Sequence, residues 1–194
     1  MKPFSNYNET QTFTERPTLP VGGYIAKIKK AAVRTYKDGE IEKLEIAFDI
    51  AEGEYKEFFA NDLKLQTGED KKWKGVLRLY IPTDDGSERD NTTKSIFKGN
   101  IEAVEDSNAG YHWDWEEKNL AGKTVGIIFR NEEWEFNNKR GWKAQPFKFI
   151  AASKIREGKF TLPKDKPLSN PTVPANTSGV PEGYVEIDDE DCPF

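Results

Sequence analysis

The sequence predicts a mostly β domain of five strands, with one helix between the third and fourth strands, followed by a tail without regular structure. Three observations support this fold class. Hydrophobic and polar residues alternate in several separate segments, which is the period of a half-buried strand. Only one segment, from about residue 91 to 106, changes to a helical period. Aromatic residues are 12% of the chain and supply a third of its 36% hydrophobic residues, which favours a small β core over a helical bundle.

The first two predicted strands form a hairpin that follows a polar arm. Residues 1–20 are expected to be an irregular N-terminal arm. The first strand runs from about residue 24 to 36, and its alternation breaks at Lys30-Ala31, where we expect a bulge or bend. Residues 37–40 contain Asp-Gly, which suits a tight turn. The second strand, about 41–50, is expected to bury Leu44, Ile46, Phe48 and Ile50 and to expose Lys43, Glu45 and Asp49.

The middle of the chain contains the third strand and the helix. Residues 54–59 fit either a continuation of the sheet or a helical turn, so this stretch stays open. The third strand ends at Pro82 and is expected to point Arg78 and Tyr80 outward. A helix is predicted from Asn91 or Thr92 to about residue 106, with one apolar stripe formed by Phe97, Ile101 and Val104.

The last two predicted strands form a second hairpin. One strand covers residues 124–130 and continues to 134–136, residues 137–141 form the turn, and the other strand runs from Trp142 to about Ile155. Three strands, a helix and two strands is the order of the oligonucleotide-binding (OB) fold, a five-stranded Greek-key barrel with a helix between strands 3 and 4. We therefore expect an all-β OB-fold domain over residues 21–160.

A change of composition after the domain predicts a linker and a charged tip. Residues 161–186 are rich in Pro, Asn, Ser and Thr and contain no pattern that would bury a core, so they are expected to be flexible. Residues 166–194 contain one base and six acids, which is the whole net charge of −5, so residues 1–165 are neutral. A neutral body still binds nucleic acid if its charges are segregated on its surface.

The bases are segregated into three blocks without acids, and each block contains aromatic residues. The blocks cover residues 24–37, 71–78 and 136–156. Single-stranded nucleic acid needs this combination, because phosphates bind cations and unpaired bases stack on flat rings. The sequence therefore predicts binding of single-stranded DNA at Lys27, Lys29, Tyr36, Trp73, Arg78, Tyr80, Trp134, Lys139, Arg140, Trp142 and Lys143.

Other kinds of site are not supported by the residues. Residues 112–117 group a histidine with three acids, but neighbouring residues on a strand point alternately and no second ligand set follows, so an acidic loop held by two tryptophans is the better interpretation. We expect no metal, no cofactor and no catalysis, because a glycine-rich phosphate loop and a nucleophile elbow are both missing. No apolar run is long enough to span a bilayer, and a secretory signal is missing, which indicates a cytoplasmic protein.

The ending of the sequence resembles a known docking peptide. Residues 187–194 place four acids before Cys192 and a Pro-Phe pair, so that a ring can fill an apolar pocket while carboxylates meet Lys or Arg. This ending is similar to the acidic tip of the bacterial single-stranded DNA-binding protein (SSB) family, in a phage or plasmid layout, although Cys192 replaces the usual larger aliphatic residue. The resemblance implies an OB fold, frequent homo-oligomers, and recruitment of replication, recombination and repair proteins by Asp188, Asp189, Glu190, Asp191, Pro193 and Phe194.

Three functions remain open from the sequence. The first is a module that coats and protects single-stranded DNA with little sequence preference and recruits partners through its tip. The second is an adaptor or inhibitor that imitates the SSB tip and occupies a partner's pocket without binding DNA. The third is an enzyme acting on nucleic acid, which the missing catalytic constellations disfavour. The acid-free basic blocks favour the first, since an adaptor does not need them.

Overall fold

A computed structural model describes Tyr7 and residues 17–170 apart from 37, 38, 40 and 68, and contains a five-stranded antiparallel sheet with helices between its strands. The strands are β1 (Gly23–Tyr36), β2 (Ile41–Ile50), β3 (Val76–Tyr80), β4 (Thr124–Phe136) and β5 (Lys139–Ile150). The helices are α1 (Phe58–Leu65), α2 (Glu88–Ser107) and α3 (Ala152–Arg156), with a 3-10 turn at Glu117–Leu120. The predicted five strands, and the helix between the third and fourth of them, are confirmed.

Strand β1 lies at the centre of the sheet, whose order is β3-β2-β1-β4-β5. On one side it pairs with β2 from Ala26 to Tyr36, and on the other side it pairs with β4 only from Gly23 to Lys27. The register with β2 shifts between Ile28 and Lys30, which confirms the bulge that the broken alternation predicted. A bulge bends its strand and increases the local twist. The bend lets one strand join two differently directed parts of the sheet.

The core lies between the inner side of this curved sheet and α2. Phe48 is fully buried, and its ring packs edge-on against those of Phe59, Phe129 and Phe149 at centroid distances of 5.6, 6.2 and 6.2 Å. The edge strands β3 and β5 approach each other, although no hydrogen-bonded pairing closes the sheet among the described residues. From α2, the predicted stripe residues Ile101 and Val104 are buried in this core.

One residue of β2 differs from the expectation. Asp49 was expected to be exposed, but only 2% of it is accessible. Its carboxylate accepts hydrogen bonds from the backbone N–H groups of Ile50, Phe59 and Ala60 at 3.0, 2.9 and 3.2 Å. Phe59 and Ala60 lie in the first turn of α1, where helical N–H groups have no partner within the helix. Asp49 therefore caps α1. The ambiguous stretch 54–59 is a turn up to residue 57, followed by the first two residues of α1.

Helix α2 starts earlier than predicted. Ser87 is its N-cap and accepts a hydrogen bond from the backbone N–H of Asp90 at 3.1 Å. The buried Asp90 carboxylate in turn accepts from the backbone N–H groups of Thr83 and Asp84. The three residues before Asn91 thus belong to the helix, because the polar groups that satisfy its first turn precede the apolar stripe. No helix in the described part of the chain is long and apolar enough to cross a membrane.

The β4–β5 hairpin is tighter than predicted, and β5 is shorter. Asn137 and Asn138 alone form the turn, with φ angles of 47° and 58°. Two successive positive φ angles define a type I′ turn, which matches the twist of the strands and which asparagine tolerates. Lys139 and Arg140 are therefore strand residues of β5 and not turn residues. At the other end the predicted strand to Ile155 is wrong, since the chain turns into α3 after Ala151.

The beginning of the predicted linker lies along β4. Lys166 forms a parallel bridge with Glu132, with backbone hydrogen bonds to Asn131 and Glu133 of 2.9 and 3.0 Å. The N–H of Leu168 donates to the carboxylate of Glu133 at 3.0 Å. At the other end of the domain Leu19, from the predicted N-terminal arm, packs into the core. The rest of the linker, residues 171–186, lies outside the described residues and stays a prediction.

We expect Asp49→Ala to destabilise the fold by about 1–3 kcal/mol, because buried N–H donors lose their acceptor. Urea unfolding followed by circular dichroism measures this change. Glu54→Ala, which removes an exposed carboxylate just before α1, is the matched control and should change the free energy of unfolding by less than about 0.5 kcal/mol. Equal losses in the two variants would contradict the capping role of Asp49.

Candidate functional site

The outward side of strands β1, β2 and β3 carries a cluster of cationic and aromatic side chains. Residues directly opposite each other in an antiparallel pair point to the same side of the sheet. Lys43 of β2 lies opposite Arg34 on one side and Tyr80 on the other, and Glu45 lies opposite Arg78. We call this surface the β1–β2–β3 face, and its members are Arg34, Tyr36, Lys43, Glu45, Arg78 and Tyr80.

Lys43 links the two tyrosine rings of this face. Its Nζ lies 4.3 Å from the ring centroid of Tyr80 and 5.0 Å from that of Tyr36. A lysine ammonium at this distance is attracted by the electron-rich face of the ring. Tyr80 remains 50% exposed, so one large flat surface is open to solvent beside a fixed cation.

Glu45 is the one carboxylate in the cluster, and it organises two of the other side chains. It accepts a hydrogen bond from the Tyr36 hydroxyl and one from Arg78 Nε at 2.7 Å. Partial burial raises the pKa of Glu45, but the hydrogen bonds from Tyr36 and Arg78 outweigh burial, so the pKa lies below its ordinary value. The side chain of Arg78 is still 53% exposed. Glu45 therefore holds Arg78 and Tyr36 in place and leaves much of the guanidinium facing solvent.

Three predicted site residues, Tyr36, Arg78 and Tyr80, are brought together on this face. Arg34 and Lys43 belong to it but were not predicted as site residues. Arg34 was counted in the first basic block, and Lys43 was only expected to be exposed. The signal that identifies them is the cross-strand register, which pairs residues that are distant in the chain. Lys27 and Lys29 are exposed residues of β1 near the bulge, at the other end of the strand from Tyr36.

The β4–β5 hairpin does not group its predicted site residues as expected. Trp134 lies opposite Gly141, whereas Trp142 lies opposite Glu133, the neighbour of Trp134. Adjacent residues of a strand point to opposite sides. The two tryptophans, both predicted as DNA-binding residues, therefore lie on opposite faces of the hairpin. Lys139 and Lys143 share the face of Trp134, and Arg140 shares that of Trp142.

Arg140 is held by a buried carboxylate. Its Nε donates to Glu133 at 2.5 Å, and only 16% of the Arg140 side chain and 3% of the Glu133 side chain are accessible. The hydrogen bond from Arg140 lowers the pKa of Glu133 below its ordinary value. This pair joins β5, β4 and the segment at Leu168. Arg140 is thus a structural residue of the hairpin more than an open phosphate ligand.

Trp73 also has a packing role. Its indole N–H donates to the carbonyl groups of Phe48 and Gly75, both at 3.1 Å. Its ring packs against Phe59 at a centroid distance of 6.4 Å. The predicted outward ring of the second basic block therefore covers the core. The exposed aromatic residue that belongs to this part of the sheet is Tyr80.

The loop at residues 112–117 is held to α2 and the core by Trp113, whereas Trp115, the second tryptophan expected to hold it, is 78% exposed. The backbone N–H of Trp113 donates to Glu105 of α2 at 2.8 Å, and the rings of Trp113 and Trp115 lie 6.2 Å apart. Within the described residues, no group of three or more His, Cys, Asp or Glu side chains is placed to hold a metal ion. The predicted docking residues Asp188, Asp189, Glu190, Asp191, Pro193 and Phe194 lie outside the described residues.

Comparison with known proteins assigns this chain to no family. No protein-family model matches the chain, and no curated protein matches it. The functional interpretation therefore depends on the sheet order, the helix between β3 and β4, and the β1–β2–β3 face.

We expect Tyr36→Phe to raise the pKa of Glu45, because the variant removes one of the two side-chain hydrogen bonds that stabilise the carboxylate. A carbon-detected NMR titration of the Glu45 carboxyl group measures the shift. Tyr80→Phe is the control, since it also removes a tyrosine hydroxyl from the face but keeps both hydrogen bonds to Glu45. If Tyr36→Phe left the Glu45 pKa unchanged, the hydroxyl would not stabilise the carboxylate.

Proposed function

We propose that residues 21–160 form an OB-fold domain that binds single-stranded DNA with little sequence preference. Three features support this fold. The central β1 pairs with both β2 and β4, a helix lies between β3 and β4, and the edge strands β3 and β5 approach each other. In OB folds the nucleic acid lies across the face of strands 2 and 3. In this chain that surface is the β1–β2–β3 face.

The observation that carries the proposal is the position of Lys43 between the rings of Tyr36 and Tyr80, with Arg34 and Arg78 on the same face. Stacking of an unpaired base on an aromatic ring contributes roughly 1–3 kcal/mol and tolerates any base. Cations beside the rings attract the phosphates that connect successive bases. The face therefore supplies both kinds of contact that a single strand needs.

A double helix fits the structure less well as a ligand. Reading of a duplex commonly uses a helix placed in the major groove, with free Arg, Lys, Asn or Gln side chains. The long helix here is α2, and its Lys94 and Lys98 are paired with Asp84, Asp90 and Glu102. Its apolar side is buried in the core. The helix therefore serves packing.

The tail adds a second part to the proposed function. Residues 171–186 would act as a tether, and the acidic residues 187–194 would recruit proteins of DNA replication, recombination or repair, as the resemblance to the SSB tip implies. The tether would start beside β4, because Lys166 and Leu168 are held there. The negative charge of residues 187–194 would also compete with DNA for the β1–β2–β3 face.

The binding proposal is tested with a fluorescently labelled oligo-dT, titrated with the full chain while anisotropy is recorded at several salt concentrations. We expect binding at low salt that weakens steeply as salt rises, because phosphate contacts release counterions. A duplex of the same length should bind more weakly. Unchanged anisotropy at low salt and high protein concentration would overturn the proposal and favour an adaptor that does not bind DNA.

Tyr80→Ala is expected to weaken binding of a short oligo-dT about fivefold or more, since one stacked base loses its ring. The matched control is Ile96→Ala on α2, which removes another exposed apolar side chain (57% exposed) outside the β1–β2–β3 face and should leave the affinity unchanged. Anisotropy titrations of both variants measure the difference. Equal affinities of Tyr80→Ala and the wild type would remove Tyr80 from the site.

Deletion of residues 187–194 is expected to leave oligo-dT affinity unchanged or to raise it a few-fold at low salt, because competing negative charge is lost. The gain should shrink as salt rises. A full-length variant with Asp188→Asn, Asp189→Asn, Glu190→Gln and Asp191→Asn is the control and should reproduce the effect if charge is the cause. Weaker binding after the deletion would show that the tip contributes to DNA binding instead of competing with it.

A further inference from the structure

A groove of about 760 Å³ lies on the opposite side of the β1–β2 end from the β1–β2–β3 face. It is bounded by β1, β2, the residues just after β3, helix α2 from Lys94 to Glu105 and the loop at residues 113–117. Its apolar wall is formed by Val33, Leu44, Ile81, Phe97, Trp113 and Trp115. We call it the α2 groove; its lining includes the core residues Leu44 and Ile101, and the proposed DNA contacts do not use it.

The α2 groove displays apolar surface that the fold has not covered. Val33 is 43% exposed, and Trp115 is 78% exposed. Trp115 also has a φ angle of 66°, which is unfavourable for a bulky side chain. The Asp114 carboxylate holds this backbone by accepting from the Glu116 N–H and the Asn119 side chain, at 3.1 and 2.6 Å. A large ring fixed on strained backbone and left in solvent is typical of a contact site.

The rim of the α2 groove is acidic. Four carboxylates and two lysines line it, a net charge of −2, and the lysines are paired with Asp84, Asp90 and Glu102. This charge disfavours DNA and disfavours the acidic residues 187–194 of the same chain. Residues 1–16 contain two bases and two acids and offer no complementary charge. The groove therefore fits an occupant that is both aromatic and basic. Its lining carboxylates are Asp84, Glu102, Glu105 and Glu117.

The β4–β5 hairpin of the same chain presents an aromatic and basic surface, at the opposite end of β1 from the α2 groove. After the last pair with β1, between Ile128 and Gly23, β4 continues for eight residues. Beyond Glu133 the described chain is a two-stranded ribbon, which is marginal in water without a partner. Phe136 at the tip is 70% exposed. One face of this hairpin combines two rings with two exposed lysines, Trp134, Phe136, Lys139 and Lys143, and Glu132 lies on the same face opposite Lys143.

We propose that copies of this chain associate head to tail, with this ribbon face of one copy docked in the α2 groove of the next. The rings of Trp134 and Phe136 would meet the apolar wall, while Lys139 and Lys143 would meet the acidic rim. Among the described residues neither lysine forms an ion pair, and Glu132, opposite Lys143, is paired with Arg130 and Lys166 instead. The ribbon extends from one end of β1 and the groove lies at the other, so a second copy supplies the missing half.

Such a contact is heterologous, because two different surfaces of the same chain meet, and it produces a ring or an open chain of protomers, depending on the rotation between copies. It goes beyond the proposed function and does not depend on it. Trp134, Lys139 and Lys143 were predicted from the sequence to bind DNA, and the head-to-tail contact assigns these three to a protein surface instead. Measurement without nucleic acid keeps the two questions apart.

The first experiment is sedimentation velocity of the full chain, free of nucleic acid, over a wide range of protein concentrations. We expect the average mass to rise with concentration and the association to weaken at high salt, because lysines and carboxylates contribute. Phe136→Ala and Trp115→Ala should each weaken association at least tenfold. Tyr80→Ala removes an exposed ring from the β1–β2–β3 face and should leave association unchanged. Circular dichroism and thermal midpoints confirm that each variant is folded.

The decisive experiment mixes the two impaired variants. Phe136→Ala keeps an intact groove and Trp115→Ala keeps an intact ribbon, so a mixture should form dimers of one copy of each and nothing larger. Wild type that stays monomeric at all concentrations would overturn the proposal, as would a mixture that forms no dimers. Loss of association in one variant alone would indicate contact between identical surfaces and would also overturn it. A monomeric wild type whose tryptophan fluorescence changes on deletion of residues 1–16 would point to an intramolecular occupant.

Discussion

The bulge in β1 between Ile28 and Lys30 is the constraint on which the rest of the structure depends. Before the bulge, β1 pairs with both β2 and β4, and after it β1 pairs with β2 alone. The bend separates the part of the sheet that curves around the phenylalanine core from a projecting β1–β2 end. The β1–β2–β3 face and the α2 groove both lie at this projecting end, one on each of its two sides.

Strand alternation then gives the two sides opposite chemistry. Lys43 points outward between tyrosine rings, and its neighbour Leu44 points inward toward α2. On the outward side, one carboxylate, Glu45, is surrounded by cations and held by hydrogen bonds from Tyr36 and Arg78. On the inward side the carboxylates exceed the lysines. A chain body without net charge is thus two-sided. Strand alternation places cations outward and apolar residues inward, and the inward carboxylates come from α2, the turn before it and Glu117.

Buried carboxylates connect the helices and the hairpin to this sheet. Asp49 caps α1, Asp90 satisfies the turn before α2, and Glu133 joins Arg140 to the segment at Leu168. Each of these carboxylates accepts two or more hydrogen bonds, and these offset the free-energy cost of burying its charge. Because Arg140 is paired with the buried Glu133, it adds little positive charge to the surface of the hairpin.

Local patterns in the sequence determined the strands, their order, the bulge and the main helix, because alternation and the helical period are visible within ten to twenty residues. They also determined that Arg78 and Tyr80 point outward. Only the tertiary structure decided the register that places Lys43 between Tyr36 and Tyr80, the burial of Asp49, and the separation of Trp134 from Trp142. These depend on pairing between residues distant in the chain, where a shift by one residue reverses every side chain. The α2 groove has the same origin, since β1, β2, α2 and the tryptophan loop meet only when the chain is folded.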